Sequence, residues 1–407
     1  MKIWQPFTQE KTTATPLKIV RGEGVYLFDE RGKRYLDMIS SWWTNILGHG
    51  NGEVAEAIYR QARILEHVIF AGFTHSPAEK LCHELAKFLP KNLECFFFSD
   101  DGSTAVEIAI KMAYQYFVNL NKQKRNIYIN LAGGYHGDTL GAMSAAGNHS
   151  RYHATFSEFF FETFSIDFPH SSQDEAVAIE KLKIFLKQNN ERVCALIVEP
   201  LVQGASGMKM YRHEFLDQIV CEARKYEIIV IFDEVMTGFF RLGTMFAIDQ
   251  CVEKPDIICL SKGLTGGFLP LALTVANCKI YNAFLSDDWR RAFLHGHSYT
   301  ANPIACAAAI QTIEILQREE IQQNIGKIIR GHEINLQKLD HIFHKRQCGT
   351  IAAFEVESTE KARIIAKKAL QNSIILRPIG RTIYFMPPYC TTVENLKYVY
   401  KKIRQYI

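Results

Sequence analysis

Between about residue 94 and residue 277 the chain alternates two patterns. Six short runs are apolar at nearly every position: Glu94–Ser99 (ECFFFS), Asn126–Leu131 (NIYINL), Cys194–Glu199 (CALIVE), Ile228–Asp233 (IIVIFD), Asp256–Ser261 (DIICLS) and Leu271–Asn277 (LALTVAN). A strand turns successive side chains to opposite faces, so a continuously apolar run predicts burial on both, as in a mostly parallel sheet covered by helices. Between the runs, apolar positions recur three and four apart, as in Ala105, Val106, Ile108, Ala109, Met112, Ala113 and Tyr116. That spacing puts one apolar stripe against the sheet. The fold class predicted is α/β.

The two ends read differently. Gly22–Asp29 and Arg34–Asp37 form a hairpin pattern around the turn at Asp29-Glu30-Arg31-Gly32. After about Asn302 the chain turns helical, with strand candidates Thr350–Val356 and Thr382–Met386 among helical segments at Glu360–Gln371 and Val393–Ile407. We assign 48–305 to a large domain, and 1–47 with 306–407 to a smaller α+β domain drawn from both ends. Asn119–Arg125 reads as a surface loop, and there is no internal repeat or low-complexity tract.

Composition narrows the function. With 47% hydrophobic and 22% charged residues the 407-residue chain is an ordinary globular sequence, which excludes a disordered tail or a collagen. The formal net charge of +4 is too small and too evenly mixed to imply nucleic acid or an anionic membrane as partner, so the substrate is expected to be small. No apolar run reaches the ~18 residues of a membrane span, and Met1–Lys11 lacks a signal-peptide core; a cytoplasmic location is expected. Ten scattered cysteines without a C-x-x-C pair read as reduced, buried thiols, with no metal site.

In a buried parallel sheet the polar residues after each apolar run are the candidates for chemistry. Lys262, flanked by Ser261, Gly263, Gly266 and Gly267, is on position alone a solvated loop lysine; glycines on both sides permit close approach of a ligand and partial desolvation, which lowers an amine's pKa and frees it to form a Schiff base. Asp233 is by itself most often a turn or cap carboxylate. At the tip of a buried strand near such a lysine it also suits holding a proton on a pyridine nitrogen. Lysine plus aspartate is the signature of pyridoxal phosphate. Gly102-Ser103 opens a helix whose N–H groups and dipole bind an anion such as its phosphate, with Thr104-x-x-Glu107 reading as a capping box. Tyr135 is either a ring-stacking residue or a turn-flanking tyrosine.

Together these segments resemble the class III, fold-type I pyridoxal-phosphate aminotransferases, nearly end to end. The resemblance runs through Ser40-Ser41-Trp42-Trp43, Asp101-Gly102-Ser103, Gly134-Tyr135-His136-Gly137-Asp138-Thr139, Asp233-Glu234-Val235-Met236-Thr237-Gly238, Ser261-Lys262-Gly263, Gly296-His297-Ser298 and Arg377-Pro378 with Met386-Pro387-Pro388-Tyr389. The Trp pair, the Tyr-His-Gly-Asp-Thr run and the Arg-Pro stretch are similar to the branch that aminates 8-amino-7-oxononanoate in biotin biosynthesis. The resemblance implies a large domain with a mostly parallel seven-stranded sheet and a homodimer with shared active sites. It implies Lys262 as Schiff-base lysine and proton shuttle, Asp233 as partner of the pyridine nitrogen, and Tyr135 beside ring and substrate. Gly102 and Ser103 hold the phosphate, reached also by His297 and Ser298 from the neighbouring subunit, where Gly296 borders the substrate. Trp42 lines the substrate pocket and Arg377 takes the substrate carboxylate; from the residues alone they read as a core aromatic and a surface arginine.

S-adenosyl-L-methionine is the amino donor that Trp42-Trp43 implies. Phe7, also on the substrate side, stands where users of that donor commonly carry a tyrosine, which leaves lysine as an alternative. Phe240 and Leu242 replace smaller residues in their loop and are expected to alter the pocket. Two further readings stay open: another class III enzyme acting on terminal amines such as ornithine or 4-aminobutyrate, and a binding protein that keeps the fold without catalysis.

Overall fold

The computed structural model describes residues 3–147 and 154–407. Its largest sheet contains β1 (Leu93–Ser99), β2 (Ile127–Leu131), β3 (Thr163–Ile166), β4 (Val193–Val198), β5 (Ile229–Asp233), β6 (Ile257–Leu260) and β7 (Ala272–Asn277). These seven strands lie in the order β1-β7-β6-β5-β4-β2-β3. From β3 across to β6 all neighbours are parallel, and β7 runs antiparallel to both β6 and β1. The edge strand β3 is the element that a search for apolar runs does not reveal. Of its residues Thr-Phe-Ser-Ile only Ile166 is buried, because an edge strand needs no continuous apolar run.

Burial on both faces explains the other runs. Along β5, Ile229 and Ile231 join the cluster under the helix Gly102–Asn119, while Val230 and Phe232 join the cluster on the opposite face. The helix buries all seven residues of its expected stripe. Because the strands share a direction, the carboxyl ends of β1, β2, β4, β5 and β6 open on one edge. The start of β7 enters there too, with Ala272 opposite Ser99 and Leu273 opposite Leu260.

Near the start, Gly22–Asp29 is not one hairpin arm. Gly24, with φ +55°, lies between Ile19–Glu23 and Tyr26–Asp29, which pair with each other before Tyr26–Asp29 pairs with Arg34–Asp37. Ile374–Ile375 adds a parallel strand to this sheet, tying the start of the chain to its end. A separate sheet of Phe343–Cys348, Ile351–Glu355 and Thr382–Phe385 lies near the C-terminus. One apolar cluster unites Val25, Leu36 and Met38 with Phe354, Phe385, Leu396 and Tyr400, and on that basis we propose 1–47 with 306–407 as one smaller unit. Of the expected surface loop Asn119–Arg125, residues 120–124 are exposed, but Arg125 is buried, donates to the carbonyls of Val193 and Tyr226, and sits 4.6 Å from the Phe117 ring centroid. The ten cysteines are free; Cys194, Cys251, Cys259 and Cys306 are buried as expected, five are partly buried and Cys221 is exposed. No helix among the described residues is long and apolar enough to cross a membrane.

His332 is buried beside the Phe385 ring, at 6.1 Å and nearly parallel to it, with Nδ1 2.9 Å from the Tyr400 hydroxyl. Burial pulls its pKa down to about 3. The folded value therefore lies below the unfolded one of about 6.5, so the unfolded chain takes up the extra proton as pH falls. Native stability should fall by about 1.4 kcal/mol per pH unit below that point through this one ring. His332→Gln should flatten this slope, measured by urea unfolding at about pH 7, 6 and 5; equal slopes in both proteins would show that the buried ring is protonated in the native state.

Candidate active site

A cavity of about 420 Å³ opens at the carboxyl edge of the sheet. Residues 100–103 after β1, 135–137 after β2, Glu199 after β4, Asp233 ending β5 and residues 261–262 after β6 all line it. β5 and β6 are parallel neighbours with Asp233 opposite Cys259, so the turn after β6 lies beside the end of β5. Lys262 and Asp233 thus share one cavity.

Lys262 begins the short 3-10 turn Lys262–Thr265 with φ +39°, a left-handed value rare for a residue with a side chain. Burial lowers its pKa; the carboxylates of Asp233 and Glu199 oppose the shift without cancelling it. Desolvation therefore wins over attraction at this amine, and the neutral form becomes more accessible. Both oxygens of buried Asp233 are held: Oδ2 lies 2.8 Å from His136 Nδ1, and Oδ1 accepts the Val235 N–H at 3.1 Å. His136 Nε2 is buried and has no hydrogen-bond partner among the described residues. Glu199 accepts from the N–H groups of Tyr135 at 3.0 Å and Gly204 at 2.9 Å, and burial pushes its pKa up to about 7. Neither His136 nor Glu199 is given a role by the sequence reading. Glu199 meets the same strand-end criterion as Asp233, so the signal was there.

At the start of the helix Gly102–Asn119 the capping box is Asp101–Thr104, with Thr104 N–H donating to Asp101 Oδ1 at 3.0 Å and Asp101 N–H to Thr104 Oγ1 at 3.1 Å. This corrects the pairing of Thr104 with Glu107. Glu107 instead accepts from Thr139 Oγ1 at 2.8 Å and Ala142 N–H at 3.1 Å, which fastens the turn after β2 to the helix. The first helical N–H groups, those of Gly102 and Ser103, lie outside the helix's internal ladder and suit an anion. A side chain at Gly102 would meet Val235 Cγ1 at 2.5 Å, so the backbone's close approach there depends on glycine. Ser103 Oγ accepts the Asp138 N–H at 2.7 Å, and the Tyr135 hydroxyl donates to Asp138 Oδ2 at 2.8 Å. An amine, a buried carboxylate and an anion-binding helix start in one cavity fit pyridoxal phosphate.

A second chamber of about 660 Å³ is lined by Phe7, Trp42, Tyr135, Lys262, Arg377 and Tyr384, among others. Trp43, Thr44, Tyr135 and Lys262 line both chambers, which therefore meet at the lysine. The Arg377 guanidinium lies 4.2 Å from the Trp42 ring centroid, and Phe7 meets the same indole edge-on at 5.5 Å. Trp42 is partly exposed and lines the chamber, and is not a core aromatic. Gly296, His297 and Ser298 are not brought to either chamber by this chain; Gly296 and Ser298 are exposed, and His297 Nδ1 accepts the Tyr299 N–H at 3.2 Å. Leu242 is buried in the core, Phe240 packs partly buried against it, and neither lines a chamber, so the expected change of pocket shape at these two positions is not found.

Residues 7–407 match the family model described as aminotransferase class-III. A Synechococcus elongatus protein named adenosylmethionine-8-amino-7-oxononanoate aminotransferase is 44% identical over 98% of this chain and 97% of its own. The Helicobacter pylori protein of that name is 36% identical over 97% of this chain and 93% of its own. Among solved structures, the Methanocaldococcus jannaschii aminotransferase of that name matches with a TM-score of 0.93 at 36% identity, covering 100% of this chain and 96% of its own. An amine transaminase from an uncultivated Pseudomonas species, solved in a PLP-bound form, matches with a TM-score of 0.92 at 28% identity, covering 100% and 98%. The chain belongs to the class-III aminotransferases.

Proposed function

We propose that the protein is a pyridoxal-phosphate-dependent transaminase that converts 8-amino-7-oxononanoate to 7,8-diaminononanoate in biotin biosynthesis, with S-adenosyl-L-methionine as amino donor. The observation that carries this reading is the meeting of two chambers at Lys262, one with Asp233 and the helix start, the other with Trp42 and Arg377. The relatives' printed names supply the substrate and the donor.

When bound, pyridoxal phosphate withdraws electrons from the substrate carbon that carries the nitrogen. Gly102 and Ser103 would hold its phosphate, Asp233 would keep a proton on its ring nitrogen, and Tyr135 would lie beside the ring. Lys262 Nζ would carry a proton from that carbon of the amino donor to the cofactor, and in the second half-reaction from the cofactor to the carbon that receives the amine, a task suited to an amine whose pKa burial has lowered. His136 and the Val235 N–H fix the Asp233 carboxylate so that it need not reorganise during the reaction. In the outer chamber Arg377 pairs with the far carboxylate and Trp42 covers the methylene chain, which spends binding energy on orienting the ketone. Gly296, His297 and Ser298 would complete the site of a second copy, which makes a homodimer the working assembly; the location proposed is cytoplasmic.

Lys262→Ala should abolish turnover and shift the visible absorption of the holoenzyme; an unchanged spectrum would remove the lysine from the reaction. Arg377→Ala should raise KM for 8-amino-7-oxononanoate by roughly 10–100-fold, the loss expected for a hydrogen bond between charged groups, with a smaller change in kcat. A donor panel of S-adenosyl-L-methionine, lysine, ornithine and alanine, read by product mass, should show the first as the preferred donor. Preference for lysine would assign that role to Phe7's missing hydroxyl, and turnover of ornithine with 2-oxoglutarate but none of 8-amino-7-oxononanoate would replace this reading with that of a terminal-amine transaminase.

A further inference from the structure

Both tryptophans that wall the outer chamber sit on a backbone of the wrong hand. Ser40, Ser41, Trp42 and Trp43 have φ of 47°, 45°, 71° and 75°. The segment is one turn of left-handed helix, closed by Trp43 N–H to the Ile39 carbonyl at 2.8 Å and Thr44 N–H to the Ser40 carbonyl at 3.0 Å. Side chains crowd the carbonyls in this conformation, and none of the four residues is glycine. Something outside the turn has to hold it.

The holding group is Asp37, whose side chain is fully buried. Its Oδ1 accepts the Ile39 N–H at 3.0 Å, and its Oδ2 accepts the Ser41 N–H at 2.7 Å, the Ser41 hydroxyl at 2.9 Å and His49 Nε2 at 3.0 Å. His49 Nδ1 lies 3.0 Å from Asn45 Nδ2, which can only donate, so the network assigns the ring proton to Nε2, where it points at Asp37. Ser40 Oγ donates to the Met386 carbonyl at 2.7 Å, and Trp43 Nε1 donates to the Tyr384 hydroxyl at 3.1 Å. The turn is thus clamped on its inner side by a carboxylate and a histidine, while its outer side presents Trp42 to Arg377 and Trp43 to Lys262, the amine lying 5.3 Å from the indole centroid.

We propose that Asp37, supported by His49, is a positioning residue for substrate recognition: it holds the left-handed turn and so fixes the Trp42–Trp43 wall against Arg377 and Lys262. The inference rests on the outer chamber being the substrate's chamber. Asp37 lines neither cavity and acts through Ser41.

Asp37→Asn keeps the shape but loses acceptors; Ser41→Gly frees the same backbone from its side-chain conflict, since glycine takes positive φ without a steric penalty. Asp37→Asn should raise KM for 8-amino-7-oxononanoate about tenfold with kcat changed less than about twofold, and adding Ser41→Gly should recover at least half of the lost affinity. A readout independent of turnover is near-ultraviolet circular dichroism. Trp4 and Trp289 are 89% and 73% exposed, so the tryptophan signal of this four-tryptophan chain comes mainly from Trp42 and Trp43. That signal should weaken in Asp37→Asn and return in the double variant. If Asp37→Asn does not fold, Ser41→Ala, which removes only the hydroxyl contact, should still raise KM about twofold to threefold and weaken the signal. An unchanged KM and spectrum, or a fall in kcat that Ser41→Gly does not reverse, would overturn the proposal. Failure of the wild-type enzyme to use 8-amino-7-oxononanoate would instead overturn the substrate reading, and the circular-dichroism comparison would still decide whether Asp37 holds the turn.

Discussion

Charge at the edge of an apolar sheet is the constraint on which the rest depends. Strands buried on both faces cannot carry charged groups along their length, so Asp233, Glu199 and Lys262 are confined to the places where strands stop. There they are close enough to water to exist and buried enough to be perturbed. At Lys262 the balance is visible: two carboxylates favour the ammonium and burial opposes it, and burial wins. At Glu199 burial also wins, even with two backbone N–H donors on the carboxylate. An edge that shifts an amine down and a carboxyl up brings both toward the neutral range where protons move with little driving force.

The parallel arrangement is what makes one edge sufficient. Had β5 and β6 been joined by a hairpin, Asp233 and Lys262 would lie at opposite ends of the sheet. The crossover between them returns the chain to the far edge before β6 begins, and the pairing of Asp233 with Cys259 sets the following turn beside the aspartate. The reversed strand β7 does not disturb this, because it starts at the same edge and closes the cavity with Leu271. Backbone strain gathers at the same place: Lys262 and the Trp42–Trp43 turn hold left-handed conformations that cost on the order of 1–2 kcal/mol per residue and that the surrounding hydrogen bonds must offset.

Much of this was legible in the chain. The continuous apolar runs disclose a doubly covered sheet because burial leaves no room for alternation, and the lysine and aspartate follow from asking what stands at their ends. The misses have physical causes. β3 has no continuous apolar run because an edge strand needs none; Gly22–Asp29 looks like one arm because a single glycine reverses it without a longer loop; Arg125 looks solvated because its charge is satisfied by carbonyls distant in sequence, at Val193 and Tyr226. Asp101 is hidden as the cap because Thr104-x-x-Glu107 repeats the capping pattern one turn later, whereas the box that forms has Asp at the cap and Thr104 in place of Glu. Phe240 and Leu242 look like pocket residues because they replace smaller ones in their loop, but Leu242 is buried in the core and Phe240 packs against it.

The left-handed turn was invisible for a different reason. Nothing in Ser-Ser-Trp-Trp advertises positive φ, and propensity alone argues against it; the conformation is imposed by Asp37, three residues before the turn, and by His49, six residues after it. Such a segment is a poor choice where a wall only needs to be apolar, since an ordinary helix would supply two indoles without conflict. A left-handed turn sets adjacent side chains about 100° apart as a right-handed one does, but steps them round the axis in the opposite sense. The left-handed turn gives Trp42 and Trp43 separate directions, one toward the guanidinium of Arg377 and one toward the amine of Lys262, at the boundary shared by the two chambers. The conformational cost is therefore placed where one aromatic surface faces a guanidinium and a buried amine together, the two groups proposed to bind and to react.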